Sequence, residues 1–240
     1  VGHDATYLEL ADDLAERLAT VGPGRRVVSE HELAAQRGVS RPTARAALQE
    51  LERRFLVRRV QGVGTFTHRR VDYVISPDVA PSASLTLARA GARFHLHVER
   101  VHTTTTADEV VAAALEVAVG EPVVCIVRST RIDDVLSIIA TAHVPAALVP
   151  GIAEHATDGV SLYEVMRTVY GLQPVRARSS ASLEVPPVRV AQALGVEGRP
   201  PMWRLENVNR DAGGGRPTEH TLSWMRADVV RVVFEMGANR

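Results

Sequence analysis

The pattern that most restricts what this chain can fold into runs from Ser29 to Thr67, SEHELAAQRGVSRPTARAALQELERRFLVRRVQGVGTFT. Ser29 stands three residues before Glu32, the spacing at which each side chain satisfies an otherwise unpaired amide of the other, so a helix is expected to start there. Gly38 can adopt the left-handed conformation that ends it, and Ser40 can cap a second helix entered through Arg41 and Pro42. Leu33, Ala34, Val39, Ala44, Ala47, Leu48 and Leu51 recur at helical spacing across both segments, and the small alanines let two helices cross closely. Leu56 to Val60 and Thr65 to Thr67 are β-prone, and the Gln-Gly-Val-Gly between them suits a tight hairpin. The expected unit is a helix-turn-helix followed by a β-ribbon wing.

Charge sharpens this reading. The chain is formally neutral, yet residues 25–70 hold 11 Arg against 4 acidic residues, a local excess that suits nucleic acid. Arg41 and Arg45 lie one turn apart near the start of the second helix, the end that a recognition helix presents to a major groove. Arg53, Arg54, Arg58 and Arg59 crowd the base of the wing, placed to follow a phosphate backbone, and a wing tip without large side chains suits a minor groove. Any one of these arginines can be a solvated surface charge; the constellation is what points to DNA. Upstream, Tyr7, Leu10, Ala11, Leu14 and Leu18 predict a helix closed by Gly22-Pro23-Gly24, completing a three-helix core.

A DNA-binding domain is therefore expected over residues 1–68, a Pro- and Ser-bearing linker over 69–80, and a second domain over 81–240. In that second part, strand-like runs (94–104, 122–133, 135–144, 175–185, 203–211, 218–226) alternate with short helical ones (108–118, 161–170, 187–194). Hairpins are expected at Asp133-Asp134 and at Ala-Gly-Gly-Gly. Consecutive hairpins favour an antiparallel sheet with helices on one face, an α+β arrangement.

The sequence has no lysine, which excludes a pyridoxal-phosphate Schiff base and a Walker-type phosphate loop. Its single cysteine, Cys125, permits neither an intrachain disulfide nor a cysteine-rich zinc site and reads as a buried strand residue of a cytoplasmic protein. No cofactor is expected. The most apolar stretch, Val135 to Val149, is interrupted by Ser137, Thr141, His143 and Pro145, so no membrane span is expected. His95 and His97 share a strand face, with His102 beyond, but no acidic or cysteine residue stands at ligand spacing to make a metal site of them. Thr103 to Thr106 can be an anion site or simply a β-favouring run.

The first region resembles the GntR family of bacterial transcription regulators. The matching residues are Ser29, Glu30, Leu33, Ala34; Val39, Ser40, Arg41, Thr43, Arg45, Ala47, Leu48, Leu51; and Gly62, Gly64, Thr65, Phe66 in the wing. The resemblance implies DNA contacts from Arg41, Thr43 and Arg45, and close approach at Gly62. His31 stands where the family often has a DNA-contacting arginine, and Val28 where it has proline. The second region resembles the UTRA effector-binding domain of the HutC subfamily, on Arg128 and Arg131, Val144 to Gly151, Ser161 to Glu164, Tyr170 to Leu172, Arg216 to Glu219, and Arg226 with Asp228. Within the subfamily it is more similar to regulators of phosphonate or phosphate uptake than to those of histidine use.

That resemblance implies a chorismate-lyase-like fold and nominates Arg128, Arg131, Glu219, Ser223 and Arg226 for the pocket. Period two puts Arg128 and Arg131 on opposite strand faces, which leaves open which of them faces it. Ala140 and Thr141 replace the subfamily's usual Glu-Arg pair. The implied function is a homodimeric repressor that binds a palindromic operator and answers to a small anionic metabolite. A chorismate-lyase-type enzyme with a DNA-binding appendage is the alternative, although no nucleophile motif supports it; an architectural DNA binder is a third.

Overall fold

The computed structural model describes residues 6–60, 62–105 and 109–236. It divides the chain into two compact units, Val1–Arg70 and Val71–Arg240.

Unit 1 comprises α1 (Tyr7–Leu18), α2 (Glu30–Arg37), α3 (Arg41–Arg53) and a ribbon of β1 (Val57–Val60) and β2 (Gly64–Thr67). Both arms of the capping box form: the Glu32 amide donates to Ser29 Oγ at 3.2 Å and the Ser29 amide to Glu32 Oε2 at 2.7 Å. Gly38 ends α2 at φ 63°, and the Thr43 amide donates to Ser40 Oγ at 3.2 Å. Leu10, Ala11 and Leu14 from α1 join Leu33, Ala44, Ala47, Leu48 and Leu51 in one buried core. The two strands pair antiparallel from Val57–Thr67 to Val60–Gly64; Gln61 of the expected turn lies outside the described residues.

A third extended segment flanks the wing, since the Val27 amide donates to Thr65 O at 2.8 Å and the Thr67 amide to Arg25 O at 2.7 Å. The buried Thr67 hydroxyl pins it, accepting from the Arg25 amide at 2.8 Å and donating to Gly22 O at 2.7 Å. Valine in place of Thr67 keeps the shape but strands these backbone groups. Thr67→Val is expected to cost unit 1 about 1–3 kcal/mol, read as a lower thermal or urea midpoint for that unit.

Unit 2 is built on a six-stranded antiparallel sheet in the order β4-β5-β6-β9-β8-β7. The strands are β4 (Phe94–Thr105), β5 (Pro122–Ile132), β6 (Val135–Pro145), β7 (Pro174–Glu184), β8 (Met202–Asp211) and β9 (Pro217–Met225). The β5–β6 hairpin turns through Asp133 and Asp134 at φ 47° and 68°, the two consecutive positive values of a type I′ turn. Cys125 is buried in β5. Asp108, at the start of one expected helix, and Thr106, in the threonine run, lie outside the described residues.

Two expectations need correction. Helices cover both faces of the sheet, not one. On one face α4 (Ala83–Arg89) and α6 (Leu162–Thr168) pack on Ile126, Ala142, Ile138 and Met225; on the other, α5 (Glu109–Leu115) covers Val123 and α7 (Val188–Ala193) covers Trp224 and Ile139. The continuous apolar run Val123-Val124-Cys125-Ile126 fits a strand covered on both sides. The stretch 69–80 is also no slack linker. Arg70 still belongs to unit 1, its guanidinium 4.8 Å over the Phe55 ring. The next residue starts β3 (Val71–Ile75), which pairs parallel with β10 (Val230–Phe234). The run Val71-Asp72-Tyr73-Val74-Ile75 is β-prone with Tyr73 and Ile75 buried on one face, but nothing local names its partner, which lies more than 150 residues along the chain.

Candidate DNA interface and effector pocket

In unit 1, α3 starts at Arg41, so Arg41 and Arg45 project from its first turns and both are exposed. Arg41 Nη2 lies 3.4 Å from Nδ1 of His31 on α2. Arg45 Nε donates to Glu30 Oε2 at 3.0 Å while its side chain remains 62% exposed, and an ion pair that open is easily exchanged for another anion. Thr43 Oγ1 is 2.8 Å from Ser40 Oγ, so its hydroxyl shares in the cap.

The wing arginines divide. Arg59 is held between Glu30 at 3.4 Å and Glu52 at 3.5 Å, Arg53 pairs with Glu50, and Arg54 with Glu50 and Asp12. Arg58 is exposed and, among the described residues, free of such a pair. The acidic residues on α3 thus hold three of the four arginines that the sequence placed at the wing base. Gly62 is exposed at the wing tip with φ 74°. Sequence reading missed Arg25 and Arg26, both exposed on the third extended segment. Arg26 is bridged to Phe66 and lies against Gly64.

In unit 2, a narrow cleft with a cavity of about 60 Å³, continuous with solvent, opens over one face of the sheet. The registers place Arg128, Ala140 and Ser223 in one row across β5, β6 and β9, so the small Ala140 leaves the floor open between the other two. Glu219 and Thr221 lie along β9, Asn207 and Asn209 on β8, and Arg176 on β7. Tyr73 forms a wall from β3, and Ser82 and Ser161, the residues preceding α4 and α6, close the top with their hydroxyls 3.0 Å apart.

Of the five pocket residues read from sequence, the structure gathers Arg128, Glu219 and Ser223 and sets the other two elsewhere. Arg131 points from the opposite face, exposed, and donates to Asp134 O at 3.1 Å. Alternation therefore places Arg128 at the pocket and Arg131 away from it. Arg226 follows the end of β9 and is bidentate on Asp228 at 3.0 and 2.6 Å. Its motif partner two residues on consumes the guanidinium, and Arg226 does not line the cleft.

Tyr73, Asn207, Asn209 and Thr221 line the cleft without having been legible in the sequence, and the missed cation is Arg176. Arg176 and Arg178 ought to share a strand face, but a register shift between them separates their directions, and no local sequence signal marks the bulge. Burial lowers the Arg176 guanidinium below its ordinary pKa, against the opposing influence of Tyr73 and Glu219; burial likewise raises the Tyr73 phenol. Glu219 is engaged on both oxygens, by Thr221 Oγ1 at 2.5 Å and Asn209 Nδ2 at 2.9 Å, with Arg128 Nη2 at 4.0 Å.

Outside the cleft, His97 Nδ1 contacts Asp158 Oδ2 at 2.7 Å, and among the described residues no group of three or more His, Cys, Asp or Glu side chains is arranged to hold a metal. Among the same residues no helix is long and apolar enough to cross a membrane.

Comparison with known proteins gives two family matches. The profile described as "UTRA domain" matches residues 96–231, and that described as "Bacterial regulatory proteins, gntR family" matches residues 6–67. The chain is 32% identical over 187 residues to the HTH-type transcriptional repressor PhnF of Mycolicibacterium smegmatis, covering 76% of this chain and 73% of that protein. It is 28% identical over 233 residues to the HTH-type transcriptional regulator GgaR of Escherichia coli K12, covering 95% and 90%. The crystal structure of PhnF from Mycobacterium smegmatis superposes with a TM-score of 0.65 at 28% identity, covering 95% of this chain and 99% of that one.

Proposed function

Because this chain belongs to the GntR family and carries a UTRA domain, a DNA-binding transcription regulator and not an enzyme, we propose that it is a cytoplasmic repressor. In this reading it binds a palindromic operator as a homodimer and is released by a small anionic effector. The first turns of α3, carrying Arg41, Thr43 and Arg45 beside His31, enter the major groove, while Arg58 and Gly62 of the wing approach the backbone and the neighbouring groove. Arg59 joins them only by leaving Glu30 and Glu52. The relative from Mycolicibacterium smegmatis bears the name of a repressor, which supports the sign of regulation.

The observation that carries the effector half is Arg128 at the cleft, its Nε buried and without a partner among the described residues, and Glu219 and Ser223 beside it. A guanidinium so placed pairs with a carboxylate or phosphate, while Glu219 and Ser223 suit hydroxyl or amine groups on the same molecule. Such an effector acts on DNA affinity only through unequal binding to the DNA-competent and incompetent forms, and the coupling is reciprocal.

Thermal-shift screening of anionic metabolites against the full chain identifies ligands, and calorimetry then tests the pocket. Arg128→Ala is expected to weaken a hit by about 1.5–3 kcal/mol, the range of a hydrogen bond to a charged group. Arg226→Ala leaves the affinity unchanged. Retained affinity in Arg128→Ala with a native melting profile sinks the pocket assignment.

A further inference from the structure

The charged groups of the cleft do not balance. Among the described residues, two guanidiniums, Arg128 and Arg176, line it, and Glu219 is the one carboxylate that does. The carboxylate sits on β9 between them, with Arg128 reaching it from β5 and Arg176 approaching from β7 on the other side of the sheet order. Glu219 is 6% exposed and already accepts from Thr221 and Asn209, so at most one of the two cations is compensated.

Arg176 has no carboxylate within ion-pair distance among the described residues. Its one hydrogen bond there runs from Nη1 to Asn207 Oδ1 at a long 3.4 Å, and Asn207 Oδ1 already accepts from Ser179 Oγ at 2.6 Å. Among the described residues, Arg176 Nε is buried and unpartnered, as is Arg128 Nε. A cation largely withdrawn from water with no counter-charge is costly, and proteins keep one where something else supplies that charge. One acceptor is orphaned as well. Asn209 is 3% exposed, and among the described residues its Oδ1 has no donor while its Nδ2 serves Glu219.

We infer that the effector carries two anionic groups, one held by Arg128 and the second by Arg176, with a hydroxyl or ammonium between them that donates to Asn209 Oδ1. The chemical class is a small bis-anionic metabolite bearing a donor, such as a phosphorylated or dicarboxylic hydroxy acid. A planar guanidinium gives each end a paired, directional contact with carboxylate or phosphate. The inference rests on the reading of this cleft as the effector site and adds the second anchor and the ligand class to it.

Two measurements on the full chain test it. In chloride buffer without other anions, Arg176→Met is expected to melt about 2–4 °C higher than wild type, because an uncompensated charge has been removed. A residue serving a structural ion pair gives a fall instead. Calorimetry then compares 3-phosphoglycerate with glycerol 3-phosphate, and malate with 3-hydroxybutyrate; each pair matches two anionic groups against one. Wild type is expected to prefer the member with two anionic groups in at least one pair by about tenfold or more, the value of one charge-assisted contact. Arg176→Gln reduces that preference to about twofold, and Arg128→Gln loses both members.

Equal affinity for the two members, abolished by Arg128→Gln and untouched by Arg176→Gln, overturns the second anchor while the effector cleft stands. Binding that survives Arg128→Gln unchanged overturns the cleft reading itself. A lower melting temperature in Arg176→Met, or no binding of any of the four compounds to wild type, also overturns the inference.

Discussion

Alanine at both Arg41 and Arg45 is expected to lower operator affinity by about 2–6 kcal/mol, the sum of two bidentate base contacts worth about 1–3 kcal/mol each. The two side chains sit one turn apart, so their losses need not add, and the single variants bracket the coupling. Neither substitution touches the buried face of α3, which is carried by Ala44, Ala47, Leu48 and Leu51, so the unit keeps its fold and melting midpoint. Fluorescence anisotropy on matched and scrambled operators over a range of salt separates the two roles an arginine can play. A base-reading arginine loses affinity on the matched site alone. A phosphate-holding arginine loses it on both and lowers the salt slope by about one. Wild-type affinity in both single variants means that α3 is not the recognition helix.

The second large effect concerns communication. Release by tenfold to a hundredfold requires about 1.4–2.7 kcal/mol of coupling between effector and operator. A dimer reads two half-sites at a fixed spacing, so the chain length between the DNA-binding unit and the effector unit sets whether both sets of contacts form together. The chain offers little slack there. Arg70 stacks on Phe55, and the Val71 amide already donates to Val229 O at 2.8 Å. Inserting Gly-Ser-Gly-Ser between Arg70 and Val71 is therefore expected to bring effector-dependent release close to onefold while effector affinity stays at the wild-type value. Calorimetry reads the second quantity and mobility shifts the first. Normal release from the extended chain rules out the length of this joint as the coupling element and leaves direct contact between the units.

What the sequence revealed was whatever is decided locally. The Ser29–Glu32 box, Gly38 and Ser40 announce two helices because each acts within one turn of itself, and the wing follows from its glycines. The hairpin at Asp133-Asp134 was equally visible. Pairing over long separations was not: the parallel partnership of β3 with the remote β10 was not legible, and the helices expected at 108–118 and 187–194 formed, but that they cover the second face was not legible because coverage depends on where the chain returns. The pocket failed in the same way. Alternation set Arg128 and Arg131 on opposite faces without saying which face was hollow, and the bulge that separates Arg176 from Arg178 left no local trace. Arg226 was misplaced for a different reason, since Asp228 stood two residues away as a ready partner.

The parallel ladder between β3 and β10 bears on the order in which the molecule is made. Unit 1 closes its core from residues 10 to 57, contacts of short range that form fast and early as a chain emerges. The effector unit cannot close until Val230 to Phe234 reach Val71 to Ile75, and Arg231 clasps Asp72 at 2.7 Å only when nearly all of that unit has been synthesised. During translation there is accordingly an interval in which the DNA-binding unit is folded and the wall that holds Tyr73 is not. In the proposed reading, a nascent chain in that interval lacks the Tyr73 wall of the cleft, so its effector site is completed only when β10 pairs with β3.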